Sequence, residues 1–313
     1  MADISIKPYN ASLKKEWNDF VESSKNGTFL FNRGFMDYHS ERFADSSFIF
    51  YKKGKLYSLL PANVRGDVIY SHQGLTYGGL VMNDECTATG ILEVFETLRA
   101  ECKRIGVKKI VYKRVPYIYD SLPSEEDLYA LFRYDAKLIA RTISTTIDRL
   151  HPLELSQLRK RLLKKAQNFD IRVTESTDLE SFYKILESNL RNKYGVSPVH
   201  SLEELKLLQS RFPDNIKLFS AHKDGEMLAG GLFFVTKEVV HAQYPHASQE
   251  GKKIGAMDIL FNYVINNEFP GVRYFDFGHS TEQEGRYLNE NLIFMKQGFG
   301  GRAICYDTYE LTF

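Results

Sequence analysis

The chain has 313 residues, more than one hydrophobic core usually serves, so two domains of roughly 150 residues are expected. Its 41 basic and 40 acidic residues leave no global field to pull the whole protein onto a polyanion, which would have to be met locally. Three scattered cysteines, Cys86, Cys102 and Cys305, lack CxxC spacing and argue against a disulfide framework or a zinc site.

No segment approaches the roughly 20 apolar residues that span a bilayer, and MADISIKPYNASLKKEW lacks the apolar core of a signal peptide. A cytoplasmic protein in a reducing compartment is the expectation.

In chain order, FIFYKKGKLYSLLPANVRGDVIYSH (48–72) has two alternating apolar runs around a Lys-Gly turn, which predicts a β-hairpin and a further strand. SHQGLTYGGL follows. Helical spacing then covers ILEVFETLRAECKRI (91–105), and GVKKIVYK (106–113) reads as a strand. The basic stretch ELSQLRKRLLKKAQNFDI predicts a linker helix over about 154–168. Leu155, Leu158 and Leu162 are expected to form its apolar stripe, and Arg159, Lys160, Arg161, Lys164 and Lys165 its solvated remainder.

Beyond it the first pattern returns. KLFSAHKDGEMLAGGLFFVTKEVVHAQ (217–243) repeats the hairpin and third strand, AMDILFNYVINNEF (256–269) the helix, and GVRYFDFG (271–278) the strand, at an offset of about 165 to 171 residues. This order predicts an α+β layer fold occurring twice, with a first domain over 1–150 and a second over 151–313.

The duplicated layout, with SHQGLTYGGL, RKRLLKKA and the YFDFGHSTE…LNENLIFMKQGFGGRAICYDTYEL tail, resembles the GNAT superfamily of N-acyltransferases. It is more closely similar to the Fem-type aminoacyltransferases that build peptidoglycan cross-bridges from two tandem GNAT-like domains. The resemblance implies mixed, largely antiparallel sheets flanked by helices and transfer of an acyl or aminoacyl group to an amine. The donor is acyl-CoA in most GNAT enzymes and aminoacyl-tRNA in the Fem group, and the acceptor a small-molecule or cell-wall-precursor amine. An acyl-CoA-dependent transferase of amino sugars and a non-catalytic binding scaffold remain alternatives. The resemblance names no oligomeric state.

GNAT proteins that use CoA hold its pyrophosphate on a glycine-rich loop at a helix N-terminus, and QEGKKIGAMD stands in that place. Lys252, Gly255 and Met257 occupy the pattern positions, and Lys252, Lys253, Gly255 and Ala256 are the candidates for phosphate binding. Gly251 and Gly255 equally suit a helix cap. The lysine-rich helix offers a surface for tRNA or an ordinary solvated face.

On the acceptor side, SHQGLTYGGL contributes His72 and Tyr77, and HAQYPHAS contributes His241, Gln243, Tyr244 and His246. In YFDFGHSTE, strand alternation sets Tyr274, Asp276 and Gly278 on one face and Phe275 and Phe277 on the other, so Asp276 can line a polar wall. Glu282 is the expected general base, Asp276 the residue that orients the acceptor, and His279 a neighbour in the following turn. Asn289 and Lys296, seven apart on a predicted helix, share a face and can bind a substrate anion. A helix cap for Glu282 and backbone hydrogen bonds for Asp276 are the structural alternatives. His241 and His246 are five apart around Pro245 with no cysteine nearby, so no metal is expected.

Overall fold

The computed structural model describes residues 4–313. The chain divides into two compact units. The first contains the chain up to Thr142 together with 281–287 and 305–313, and the second contains 143–280 and 288–304. The expected split into 1–150 and 151–313 is therefore redrawn: the first boundary falls at 142/143, and two later segments return to the first unit.

Chain order in the first unit is β1 (Ile4–Pro8), α1 (Lys14–Ser23), α2 (Arg33–Met36), β2 (Phe48–Lys52), β3 (Lys55–Leu60), β4 (Asn63–Arg65), β5 (Val68–Tyr70), β6 (Val81–Met82), α3 (Ala88–Arg104), β7 (Lys109–Lys113) and α4 (Glu126–Arg133). Strand β8 (Lys137–Asp148) carries the chain across the boundary. The second unit continues with α5 (Gln157–Ala166), β9 (Arg172–Ser176), α6 (Leu179–Tyr194), α7 (Leu202–Arg211), β10 (Ile216–Lys223), β11 (Glu226–Val235), β12 (Val239–Ala247), α8 (Gln249–Ile254), α9 (Ala256–Asn267) and β13 (Tyr274–His279). Then come β14 (Thr281–Glu282), β15 (Tyr287–Leu288), α10 (Glu290–Gln297) and β16 (Arg302–Thr312).

The repeated hairpin is present in both units, down to its irregularities. Lys53 and Gly54 turn β2 into β3 with φ of 50° and 80°, and Asp224 and Gly225 turn β10 into β11 with φ of 51° and 82°. Two consecutive left-handed residues give the tight turn whose twist suits antiparallel strands. Each hairpin also carries a register shift just before its turn, after Phe50 in one and after Ala221 in the other.

The units differ in how the sheet continues. In the second, β9, β10, β11 and β12 follow one another antiparallel, β13 joins β12 in parallel, and the end of β8 pairs with β13. In the first, β1, β2, β3 and β6 form one antiparallel sheet, while β4, β5, β7 and the end of β16 form part of another. Pro61, which cannot donate to a strand ladder, stands where the chain leaves β3 for β4.

Each unit buries its own apolar face. Phe48, Phe50, Tyr57, Ile91, Val94, Phe95, Leu98 and Ile110 pack α3 on the strands of the first, and Phe219, Phe233, Leu260, Phe261, Val264, Phe275 and Phe277 pack α9 on those of the second. Helix ends follow side-chain chemistry. Thr87 accepts from the Gly90 amide to start α3, and Ser201 and Glu204 form a reciprocal capping box on α7.

The basic helix α5 inverts the expected faces. Arg159, Leu163 and Ala166 are buried, while Leu158 and Leu162 stay exposed. Arg159 forms a part-buried ion pair with Asp258 of α9, donates to the Met295 carbonyl and lies over the Phe299 ring, 4.5 Å from its centroid. A half-buried partner 99 residues away draws the guanidinium inward.

Candidate active site

Strand β12 runs parallel to β13 for three pairs, Val239–Tyr274, Val240–Phe275 and His241–Asp276, and the ladder then stops. Both strands are irregular beyond that point. The pairing of β11 with β12 steps from Tyr244 to Ala242 across adjacent Leu232 and Phe233, which leaves Gln243 as an extra residue. The pairing of β13 with β8 steps from Asp276 to His279 while β8 moves only from Thr146 to Ser144. Bulges of this kind end pairing and re-aim side chains, and they gather beside active sites.

Asp276 sits at the fork, fully buried. Ser144 Oγ and Thr146 Oγ1 donate to its Oδ1 at 2.5 and 2.6 Å, and His241 Nδ1 lies 2.7 Å from its Oδ2. Burial alone would raise this carboxyl. The hydrogen bonds from His241, Ser144 and Thr146 and the attraction of His241 outweigh burial and hold it down at about 2.

An ionised carboxylate only accepts, so His241 must donate through Nδ1, and its Nε2 becomes the basic position when the ring is neutral. Gly278 keeps the outer edge of that ring uncovered. Its φ of 76° is left-handed, and a Cβ there would stand 3.4 Å from His241 Cε1 and 3.8 Å from Nε2.

Lys296, buried in the last turn of α10, donates to the carbonyls of Gly278 and His279 at 2.7 Å each. Burial pulls its ammonium down to about 8, with the Asp276 charge opposing the fall. Lys296 therefore ties α10 to the turn that frames His241. Gln243 Oε1 and Ser280 Oγ are buried polar atoms without a hydrogen bond among the described residues. Unsatisfied atoms of this kind cost stability and recur at functional sites.

The fork thus brings Asp276, His241 and Lys296 together, with Gln243 on the adjoining bulge and His279 beside the Lys296 contact. Asp276 is sealed beneath His241, where a polar wall had been expected. Ser144 and Thr146 escaped the sequence reading, although their alternation in TISTTID places both on one strand face.

Other candidates have tasks of their own. Asn289 is the N-cap of α10, accepting from the Leu292 amide, so it does not share a helix face with Lys296 as a ligand pair. Tyr244 Oη is 2.6 Å from His200 Nδ1, and burial, the leading cause, pushes its phenol up to about 12. His246 is half-buried at the far end of β12. In the first unit Tyr77 donates to Thr28 Oγ1 within the core, and His72 is buried against His39, with burial foremost in lowering its imidazole to about 3. Glu282 is exposed on β14, in the first unit.

The loop expected to hold pyrophosphate is internally engaged. Lys252 donates to Asn189 Oδ1, and Lys253 pairs with Glu250 at 3.4 Å. The Gly255 amide caps α8 on the Gly251 carbonyl, and Ala256 is fully buried. Gly251 is a close-packing glycine: a Cβ would fall well inside contact distance of the Leu228 carbonyl. A cavity of about 260 Å³ in the first unit, lined in part by Leu138, Arg141 and Arg286, involves none of the candidate residues. Among the described residues no group of three or more His, Cys, Asp or Glu could hold a metal ion, and no helix is long and apolar enough to cross a membrane.

The first unit contains the same parallel strand pair without its chemistry. Strands β5 and β7 pair in parallel through Val68–Lys109, Ile69–Ile110 and Tyr70–Val111. Counted pair for pair, Tyr70 and Val111 stand where the second unit has His241 and Asp276.

Residues 154–287 match the family model of the acetyltransferase (GNAT) domain. This stretch is similar to a GNAT domain. The fork between β12 and β13 lies within it. The whole fold is shared with the crystal structure of FemX, at TM-score 0.68 and 10% identity, over 99% of this chain and 97% of that one. It is shared too with the C-terminal domain of a protein named as a lysylphosphatidylglycerol synthetase from Agrobacterium fabrum (TM-score 0.62, 11% identity, 97% and 92% covered). L-PGS from Bacillus licheniformis is likewise similar (0.62, 14% identity, 95% and 91% covered). No curated protein matches the sequence. The GNAT domain and these neighbours agree with the expected tandem α+β architecture of mixed sheets flanked by helices.

Proposed function

We propose that the protein is an N-acyltransferase of Fem type, moving an aminoacyl group from an activated ester to an amine acceptor at the fork of its GNAT domain. The observation that carries this reading is the His241–Asp276 pair, buried at the point where β12 and β13 part.

In the proposed reaction the neutral acceptor amine attacks the donor carbonyl, forming the C–N bond. His241 Nε2 takes the amine proton, with the imidazolium stabilised by Asp276. Collapse of the tetrahedral intermediate breaks the bond to the leaving oxygen, which receives the proton from His241. Asp276 positions and does not itself exchange a proton, since three donors hold it ionised. This assignment moves the base from Glu282, which is exposed in the first unit, to His241.

The engaged state of Lys252 and Lys253 and the burial of Ala256 favour a donor not anchored by a diphosphate at α8, hence aminoacyl-tRNA over acyl-CoA. A solved structure of the same fold is named as a lysylphosphatidylglycerol synthetase, a name consistent with transfer of an aminoacyl group. Thermal-shift titration with CoA, an acyl-CoA and charged tRNA tests the donor. Stabilisation by charged tRNA alone is expected. Stabilisation by an acyl-CoA alone would assign the protein to CoA-dependent transfer, and indifference to all three would assign it to the binding scaffolds.

A further inference from the structure

We infer that helix α5 and the residues beside it lay the protein against an anionic lipid surface. Only Arg159, Leu163 and Ala166 of this helix face inward, and Leu158 and Leu162, one turn apart, remain 40% and 37% exposed. Two more large apolar side chains are exposed nearby: Leu153 at 48% and Phe294 at 62%.

These positions are held together by two hydrogen bonds and one close backbone approach. The Ser156 amide donates to the Gly298 carbonyl at 2.9 Å, Arg159 donates to the Met295 carbonyl, and the Leu153 carbonyl closes on Gly300. The start of α5 therefore runs along the end of α10, where Phe294 projects. Single exposed leucines are ordinary, but a group of four held on α5, the segment just before it and α10 calls for a partner.

Charge identifies that partner. Lys160 pairs with Glu154, but no ion pair engages Arg161, Lys164 or Lys165 among the described residues, and all three are exposed. The helix contains no acid. Cations interleaved with leucines are the pattern of a helix lying in a bilayer interface, with leucines entering the acyl boundary and lysines meeting anionic headgroups. At ten residues α5 can only lie on such a surface. A single-stranded nucleic acid would want stacking aromatics between the charges, whereas α5 supplies leucines. The inference does not depend on the chemistry assigned to His241.

Co-sedimentation of the full chain with vesicles tests it, using phosphatidylcholine alone or mixed with phosphatidylglycerol. Binding to the mixed vesicles and not to the neutral ones is expected. The pairs Leu158→Gln/Leu162→Gln and Lys164→Gln/Lys165→Gln should each lower the bound fraction about fivefold or more, since one basic residue near an anionic surface is worth about that factor. Their melting temperatures should stay unchanged, because all four side chains are exposed. No binding to mixed vesicles, or equal binding by both variants, would overturn the inference. So would retention on a tRNA pool, undiminished in the leucine variant and without vesicle binding, which would make the helix a nucleic-acid surface.

Discussion

His241 and Asp276 are joined at the last rung of the parallel ladder between β12 and β13, with the ring nitrogen Nδ1 2.7 Å from the carboxylate. Replacing the acid tests what it contributes. Asp276→Asn removes the charge that fixes the imidazole tautomer, and turnover should fall by about 10²-fold or more. Three donors also lose an ionised acceptor in the core, so stability should drop by roughly 2–4 kcal/mol in denaturant unfolding. Because the folded carboxyl is held below its unfolded value, its contribution is present above the usual carboxylate range and lost as pH falls toward about 2. The Asn variant should lack that acid-dependent loss.

Gly278 is predicted to be irreplaceable on two counts. Its φ of 76° strains any L side chain, and an alanine Cβ would cover the open edge of the ring in van der Waals contact with His241 Cε1. Gly278→Ala should cost about 1–2 kcal/mol in thermal unfolding and lower turnover beyond what that loss explains. Wild-type turnover in this variant would mean that the open edge of the imidazole is not used.

Lys296 gives a prediction at alkaline pH. Burial places its folded value near 8, below the ordinary lysine range, so between about pH 8 and 10.5 the unfolded chain binds more protons than the folded one. Stability from this group therefore increases as pH rises through that window, on the order of 2 to 3 kcal/mol. Measured against Lys296→Met, the wild type should show that relative gain. Parallel stability profiles of the two proteins would contradict it.

In the Arg159–Asp258 pair the arginine is buried and the acid half-buried, so breaking it from one side leaves a charge that water only partly compensates. Arg159→Met should cost about 3 kcal/mol, whereas Arg159→Met combined with Asp258→Leu should recover most of the loss. Equal losses in the single and double variants would show that the ion pair is not the reason α5 turns its arginine inward.

Local pattern carried much of this architecture. The paired hairpins announce themselves through Lys-Gly and Asp-Gly turns between alternating runs, and Phe275 and Phe277 were legible as a core face by alternation alone. What escaped was set by contacts distant in sequence. Ser144 and Thr146 reach Asp276 across 132 and 130 residues, turning a presumed cleft wall into a sealed acid. Leu158 and Leu162 looked like core because leucine usually is, but Asp258 was already waiting for Arg159 on the opposite face. Asn289 and Lys296 lie seven apart, yet the first is a cap and the second turns inward to two carbonyls, a distinction that spacing does not encode.

Steady-state aminoacyl transfer to an amine acceptor, compared between wild type, His241→Asn and Glu282→Gln, bears most directly on the proposed mechanism. With His241 as the base, His241→Asn should lose about 10²-fold or more in turnover while keeping its fold, and Glu282→Gln should stay within about threefold of wild type. Undiminished turnover in His241→Asn would contradict the account.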